Sequence, residues 1–304
     1  MALPDTRPET GRAAEIIPGV RRILAPNPSP MTFWGTNTYL LGTDRVAVID
    51  PGPDSDGHLR AILSAVEGAQ VEAILVTHSH LDHSPLCRRL SERTGAPVYA
   101  YGDSFAGRAP HMKALTRHGR IGGGEGVDKG FSPDRRLEDG ARLSLGCGDL
   151  TALWTPGHFG NHMCFAMEDV LFSGDMVMGW ASSLISPPDG DLSAFMRSCG
   201  KLMAWADRLC LPGHGAPVED TRGRLEWLID HRQKRERQIL RALGDGPGTA
   251  AEITARIYTA AGQGLMAAAA RNVLAHLIDL WMRERVVCAG QPDESACFRL
   301  APGR

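Results

Sequence analysis

No stretch of this 304-residue chain stays apolar over the roughly 20 positions that a membrane-spanning helix needs. The first twenty residues, Met1 to Val20, mix Asp5 and Glu9 with Arg7 and Arg12 and lack an apolar h-region, so a secretory leader is not expected and the default location is cytoplasmic. An excess of one charge is also missing. The net charge is -2, which gives no bulk attraction for a polyanion. The seven cysteines are an odd number, with no CxxC pair and no even framework, and read as reduced thiols without a local base partner. Gly122-Gly123-Gly124 lacks the Lys-Ser/Thr that would make it a phosphate cradle. What is present is 43% hydrophobic and 22% charged residues, enough to bury a full core in one large domain and a small one.

The coarse pattern is α/β. The first 30 residues are Pro-rich and read as irregular up to Pro30. Asn37 to Leu41 and Val46 to Asp50 read as a hairpin, His58 to Glu67 as a helix and Val71 to Val76 as a short apolar strand. Ser84-Pro85 looks like a helix start, with Ser as N-cap and Pro at the first position. Val98 to Ala100 is another strand, and 119–130 a glycine-rich loop. Leu150 to Trp154, His162 to Met167, Val170 to Phe172 and Arg208 to Leu211 are further strands, with a helix over Leu192 to Leu202. Alternating hairpins and helices predict two sheets with helices outside, a four-layer αββα sandwich. From Thr221 to Leu243 runs a long charged helix, then Thr249 to Thr259 behind a capping box, Leu265 to Arg283, and a β-pair around Val286 to Cys288 and Cys297 to Leu300. That is a winged-helix plan. The boundary falls between Gly215 and Thr221, dividing the chain into 1–220 and 221–304.

Four strands stop just before a metal-ligand type of residue. His78, His80, Asp82 and His83 follow the strand at 71–76, His158 follows Thr155-Pro156-Gly157, Asp175 follows Ser173-Gly174, and His214 stands in Pro212-Gly213-His214-Gly215. Strand ends suit chemistry because the sheet fixes the backbone while the loop carries the side chain. Neutral imidazoles and carboxylates bind Zn²⁺ at about 2.0–2.2 Å. In an extended stretch His78 and His80 point the same way and can share one ion, while Asp82 and His83 turn toward a second. Any one of the later residues alone would be an ordinary hydrogen-bonded loop residue. Their succession behind HxHxDH makes them a set.

That succession, from about Thr36 to Gly215, resembles the metallo-β-lactamase superfamily. The resemblance implies that His78, His80 and His158 hold one divalent metal, that Asp82, His83 and His214 hold the other, and that Asp175 bridges them. Zinc is the expected ion, with manganese and iron also compatible with such ligands. A bridging water would have its pKa lowered from about 15.7 toward about 7 and attack an ester-like centre. Asp82 would orient that water, and His162 is a candidate supporting group or general acid. β-Lactamases usually carry Cys where Asp175 stands, which argues against β-lactam hydrolysis. His231 to Leu240, His158 to Met163 and Ser173 to Asp175 are further similar to the β-lactamase-like endoribonuclease group with its C-terminal winged helix, which includes thioesterases that release polyketide acids.

A small thioester or ester is therefore the expected substrate, and single-stranded RNA the alternative. Phe33, Trp34 and Trp180 lie on loops beside the ligand motifs and are candidates for substrate contact; ordinary packing is the plain alternative. A third reading makes the winged helix a nucleic-acid module. Between Glu219 and Arg304 stand 13 basic and 11 acidic residues, far from a basic footprint. Arg232, Lys234, Arg235, Arg237 and Arg241 could follow a phosphate backbone or form a solvated helix face. Packing against the catalytic domain, or pairing into a homodimer, is the expected role of the module.

Overall fold

The computed structural model describes residues 6–117, 121–124, 126–258 and 263–302. Seven strands form the first sheet, in chain order: β1 (Ala14–Ile17), β2 (Val20–Leu24), β3 (Asn37–Leu41), β4 (Arg45–Ile49), β5 (Gln70–Leu75), β6 (Val98–Ala100) and β7 (Arg135–Arg136). β1 to β4 pair antiparallel, and β4 to β7 pair parallel. The second sheet has five strands: β8 (Arg142–Leu145), β9 (Gly148–Trp154), β10 (Met163–Ala166), β11 (Val170–Gly174) and β12 (Leu209–Pro212), ordered β12-β11-β10-β9-β8.

The period-2 alternation of the strands assigns each residue to one of two cores. Ala47, Ile49, Ala73 and Leu75 face Ala152, Phe165, Phe172 and Leu211 between the sheets. Val46, Val48 and Ile74 point the other way, against Leu59 and Ile62 of α1 (Asp56–Ala65) and Leu86 and Leu90 of α2 (Leu86–Thr94). Strands covered on both faces have no polar side, so they read as continuous apolar runs. The outer face of the second sheet buries Cys164 and Leu171 against Phe195 of α4 (Leu192–Leu202) and Leu225 and Leu228 of α5 (Thr221–Gly244). Helix, sheet, sheet, helix is the expected four-layer sandwich.

The far half of α5 belongs to another core. Ile239 and Leu243 pack with Ile253 of α6 (Ala250–Ile257), with Val273, Leu277 and Ile278 of α7 (Gln263–Met282), and with Val286 and Phe298 of the antiparallel pair β13 (Val286–Cys288) and β14 (Phe298–Leu300). α3 (Pro110–Thr116) joins that cluster through Met112 and Leu115. Thr249 caps α6 with the reciprocal Glu252 bond expected of a capping box. Among the described residues no helix is long and apolar enough to cross a membrane.

Two local expectations fail. The N-terminal stretch is not irregular: β1 and β2 form an edge hairpin turning at Pro18-Gly19, with Gly19 at φ +76°. A proline lacks only its own N–H donor, so at a turn it is at home, and Ile16 and Val20 beside it enter the inter-sheet core. Ser84 does not cap α2. The cap position is Pro85, with no side-chain bond, and the Ser84 hydroxyl is turned to the Asp128 carboxylate, to which it donates at 2.8 Å. The end at Thr259 of the helix predicted from Thr249, residues 119, 120 and 125 of the predicted loop, and the chain ends at 1–5 and 303–304 lie outside the described residues.

Gly157 brings the strand end before His158 against α4. A Cβ there would stand 2.3 Å from the Phe195 Cα, and its φ of +146° is one that side chains rarely adopt. Gly157→Ala should therefore lose about 2–4 kcal/mol from overpacking and strain together. Gly200, within α4 and with nothing within 4 Å of a built Cβ, should gain up to about 1 kcal/mol as Ala. Urea midpoints of the two variants check both signs.

Candidate metal centre

The loop after β5 begins with a carboxylate that lies 27 residues upstream. Asp50, buried at the end of β4 with φ +49°, accepts from the Thr77 backbone N–H at 2.7 Å and from the Thr77 hydroxyl at 2.7 Å. The same carboxylate takes the Nδ1 proton of His83 at 2.9 Å. Both ends of the 77–83 loop are thus fixed to one anion. Asn161 braces its middle, with its amide donating to the Ser79 hydroxyl at 3.0 Å and to the Asp103 carbonyl at 3.1 Å.

From this loop and three other strand ends, seven side chains converge. His78 Nε2 lies 2.8 Å from His80 Nδ1, and His158 Nε2 lies 3.1 Å from the same atom. His83 Nε2 and His214 Nε2 are 3.3 Å apart, and Asp82 Oδ2 is 3.1 Å from His214 Nε2. Asp175 stands between these two groups, 3.7 Å from His158, 3.4 Å from His214 and 3.6 Å from His83. The ligand atoms of His78, His80 and His158, of His78, His83 and Asp175, and of Asp82, His83 and His214 form three sets, each within 4.8 Å.

Glycine makes the approach of Asp175 feasible. A Cβ on Gly213 would meet Asp175 Oδ1 at 2.5 Å, and one on Gly174 would meet His162 Nε2 at 2.7 Å. His162 is buried and outside the three sets. Its Nδ1 bonds the Thr155 hydroxyl at 2.9 Å, and its Nε2 accepts from the Asp175 backbone N–H at 3.2 Å. With Nε2 accepting, the ring is neutral, and burial holds its pKa well below the usual value.

The outward nitrogens are committed as well. His158 Nδ1 donates to the Leu184 carbonyl at 2.7 Å, His214 Nδ1 to the Gly35 carbonyl at 3.1 Å, His83 Nδ1 to Asp50, and His78 Nδ1 to the Thr77 hydroxyl at 3.0 Å. That hydroxyl gives its own proton to Asp50, so it is free to accept. Protons directed outward leave the Nε2 lone pairs of His78, His83, His158 and His214 facing inward, the tautomers a metal requires. Burial lowers His80 to about 3, and lowers His78 and His158 too, which keeps them neutral. Burial acts on His83 in the same sense, but the carboxylates of Asp82, Asp175 and Asp50 outweigh it and raise the ring to about 9. His214 is raised likewise by Asp175 and Asp82 against its burial.

The fit to divalent cations rests on these observations and on one more. Asp175 Oδ1 is buried and has no hydrogen-bond partner among the described residues. A buried anionic oxygen without a donor is costly, and a cation removes that cost.

Three aromatics adjoin the centre. Phe33, at φ +56° and 38% exposed, stacks on Trp34 at 4.7 Å and on Trp180 at 4.9 Å between ring centroids. Trp180 lies over Gly215, the residue after His214, where a Cβ would meet its Cδ1 at 2.7 Å. The cysteines take no part: all seven are free, and burial pushes Cys199 and Cys210 up to about 12.

Residues 31–230 match the metallo-beta-lactamase superfamily, and residues 249–294 match the beta-lactamase associated winged helix domain. The chain belongs to the metallo-beta-lactamase superfamily. It is a metal-dependent hydrolase carrying a C-terminal winged helix. It is 32% identical over 290 residues to the beta-lactamase-like protein 2 homolog of Drosophila melanogaster, covering 90% of this chain and 92% of that one. The atrochrysone carboxyl ACP thioesterase of Aspergillus fumigatus is 32% identical over 244 residues, covering 78% of this chain and 68% of the relative. Among solved structures, a beta-lactamase domain protein from Burkholderia ambifaria superposes with a TM-score of 0.79 at 26% identity, over 98% of this chain and 96% of the other.

Asp50 is not among the residues expected from the motifs, although it stands at a strand end as they do, in Ile49-Asp50-Pro51-Gly52. Asn37, whose amide donates to the Pro212 and Gly215 carbonyls at 3.0 Å each, had no such signal. Asp50→Ala should weaken metal binding about 10–100-fold by releasing Thr77 and His83; chelator competition reads the change.

The pKa shifts set the pH response of the ion-free chain. His83 titrates near 6.5 unfolded and near 9 folded, so its stabilisation is complete below pH 6.5 and lost as pH rises through 9. His80 acts oppositely: its buried neutral ring costs stability as pH falls below 6.5 toward 3. Chelator-stripped protein should melt highest near pH 6.5, and metal loading should flatten the alkaline arm, where the ion replaces the His83 proton. Equal melting temperatures at pH 6.5 and 9 in the stripped chain would contradict the assignment.

Proposed function

We propose that the chain hydrolyses small thioesters or esters at a dinuclear centre, preferring an acyl group with an aromatic or extended apolar part. His78, His80 and His158 would hold one ion, Asp82, His83 and His214 the other, and Asp175 both, with zinc the ion best matched to this donor set. Bound there, two divalent ions supply an acidified water and polarise the scissile carbonyl.

The chain's own groups do the rest. Asp82, whose side chain keeps 27% of its surface exposed, accepts a hydrogen bond from the attacking water and orients it. His162 positions Asp175 through its backbone N–H and transfers no proton, because both its nitrogens are engaged away from the opening. Water adds to the acyl carbon, the bond to sulfur or oxygen breaks, and an acid and a thiol or alcohol leave.

The observation that carries the choice of substrate is the stacked slab of Trp34, Phe33 and Trp180 next to His214. Aromatic faces beside the centre bind a flat or apolar acyl group. Leu81, 52% exposed between His80 and Asp82, adds apolar surface on the 77–83 loop. The relative named as a carboxyl ACP thioesterase supports the same class. A single-stranded RNA would need a basic track, and the basic residues of α5 are mostly engaged elsewhere. Arg232 is buried, Lys234 pairs with Asp230 at 2.6 Å, and Arg235 lies over the Tyr258 ring at 4.0 Å.

Metal-loaded protein should cleave an aryl-acyl thioester. Phe33→Ala should raise KM about three- to tenfold with kcat little changed, the worth of one aromatic stack. Asp175→Ala should abolish turnover while the circular dichroism spectrum is retained. Cleavage of single-stranded RNA with no thioester turnover, in a parallel assay, would reverse the assignment.

A further inference from the structure

The segment 183–187 follows the Asp175 turn and has no strand or helix of its own. Backbone groups without a ladder must find partners elsewhere, and here the partners come from two sides. Toward the metal centre, the Leu184 carbonyl accepts the Nδ1 proton of His158 at 2.7 Å, and the Ser183 hydroxyl donates to the Asp175 carbonyl. Toward the C-terminal module, the Ser183 carbonyl accepts from Arg232 of α5, and the Ile185 N–H donates to Asn272 Oδ1 of α7 at 3.0 Å. Arg271, also on α7, donates to the Ser186 hydroxyl at 2.9 Å and to the Pro187 carbonyl. The residues on either side of Leu184 are therefore held by the module, while Leu184 itself orients a ligand ring.

We propose that Asn272, together with Arg232, is a positioning residue of the metal centre, acting on His158 through Leu184. The C-terminal module would then complete the catalytic site rather than stand apart as a nucleic-acid reader.

Two features make Asn272 the pivot. Its Oδ1 receives both the Ile185 N–H and Arg232 Nη1, the latter at 3.1 Å, so both lone pairs are used and the arginine is locked to the same point. Arg232 is buried, 3% exposed, with its guanidinium 5.2 Å from the Phe195 ring, and has little room to shift. Without the Oδ1 acceptor, Ile185 N–H and Arg232 both lose a partner in a buried place, and the adjacent Leu184 carbonyl loses its anchor. The His158 ring, fixed by that carbonyl, can then turn its Nε2 away from His80. Groups that orient a ligand histidine commonly change metal affinity by about 10–100-fold when removed.

The inference rests on the assignment of His158 as a ligand, and metal binding rather than turnover is its test. Zinc affinity is measured by chelator competition for the whole chain and for Asn272→Leu, Asn272→Asp and Leu277→Ala. Asn272→Leu keeps the volume but removes the acceptor, and should bind one of two ions at least tenfold more weakly. Asn272→Asp still accepts from both donors and should stay within about threefold of the parent. Leu277, buried in the module core away from the segment, should lower the melting temperature as Ala without changing zinc affinity. If Asn272→Leu does not give a folded circular dichroism spectrum, Asn272→Ser, too short to reach the same donors, is read in its place. Wild-type affinity in the acceptor-less variant, or an equal loss in Leu277→Ala, overturns the proposal. A parent chain that binds fewer than two ions would instead overturn the centre on which it rests.

Discussion

The structure is organised around a buried carboxylate set among imidazoles, Asp175. Its Oδ1 has no hydrogen-bond partner among the described residues, and it lies amid the inward nitrogens of His158, His83 and His214. Burying charge this way is favourable only when a counter-charge completes it. Seven side chains of metal-ligand type on four strand ends could hold such a counter-charge, and the sandwich supplies the rigidity that keeps them a few ångströms apart. A loop protein could not hold imidazoles with their lone pairs facing one another. Two sheets packed face to face can, because each ligand is separated from a buried strand by only a few residues.

A second anion sits behind the first. Asp50 sets the 77–83 loop by accepting from Thr77 and His83, and it does so from a strand adjacent to β5 in the same sheet. The centre therefore has two layers of carboxylate, one facing the ligand pocket and one fixing tautomers from behind. The His83 ring lies between them, which explains why its proton affinity is raised while its neighbours His78 and His80 are pushed the other way by burial.

The C-terminal module bears on the same centre from outside the sandwich. α5 runs from the core of the second sheet into the core of the winged helix, so the two cores share an element. Its arginines look like a basic stripe in the sequence. In the fold, Arg232 is internal and tied to Ser183, and Glu236 of α5 pairs with Arg283, just past the end of α7. Charge in this half of the molecule is used for packing helices against one another and against the segment beneath His158.

Much of this was legible in the residues. HxHxDH, the three later strand-end residues of metal-ligand type and the alternation of apolar runs lead to the layers, the family and the side chains that converge, because each depends on local spacing and on what a side chain can coordinate. The Thr249 capping box was legible for the same reason. The edge hairpin at Pro18-Gly19 was not, since prolines signal irregularity unless the pairing strand is known. The side chain of Ser84 is drawn to a carboxylate that lies 44 residues away, which local spacing does not show. The roles of Asp50, Asn272 and Arg232 belong to the same class: their partners are distant in the chain, so even the strand end that marks Asp50 does not reveal what it holds. The sequence by itself determined which groups could bind metal and which strands would carry them. Only the tertiary structure decided which buried acceptors orient those groups, because hydrogen bonds between distant segments exist only once the chain has brought their backbones together.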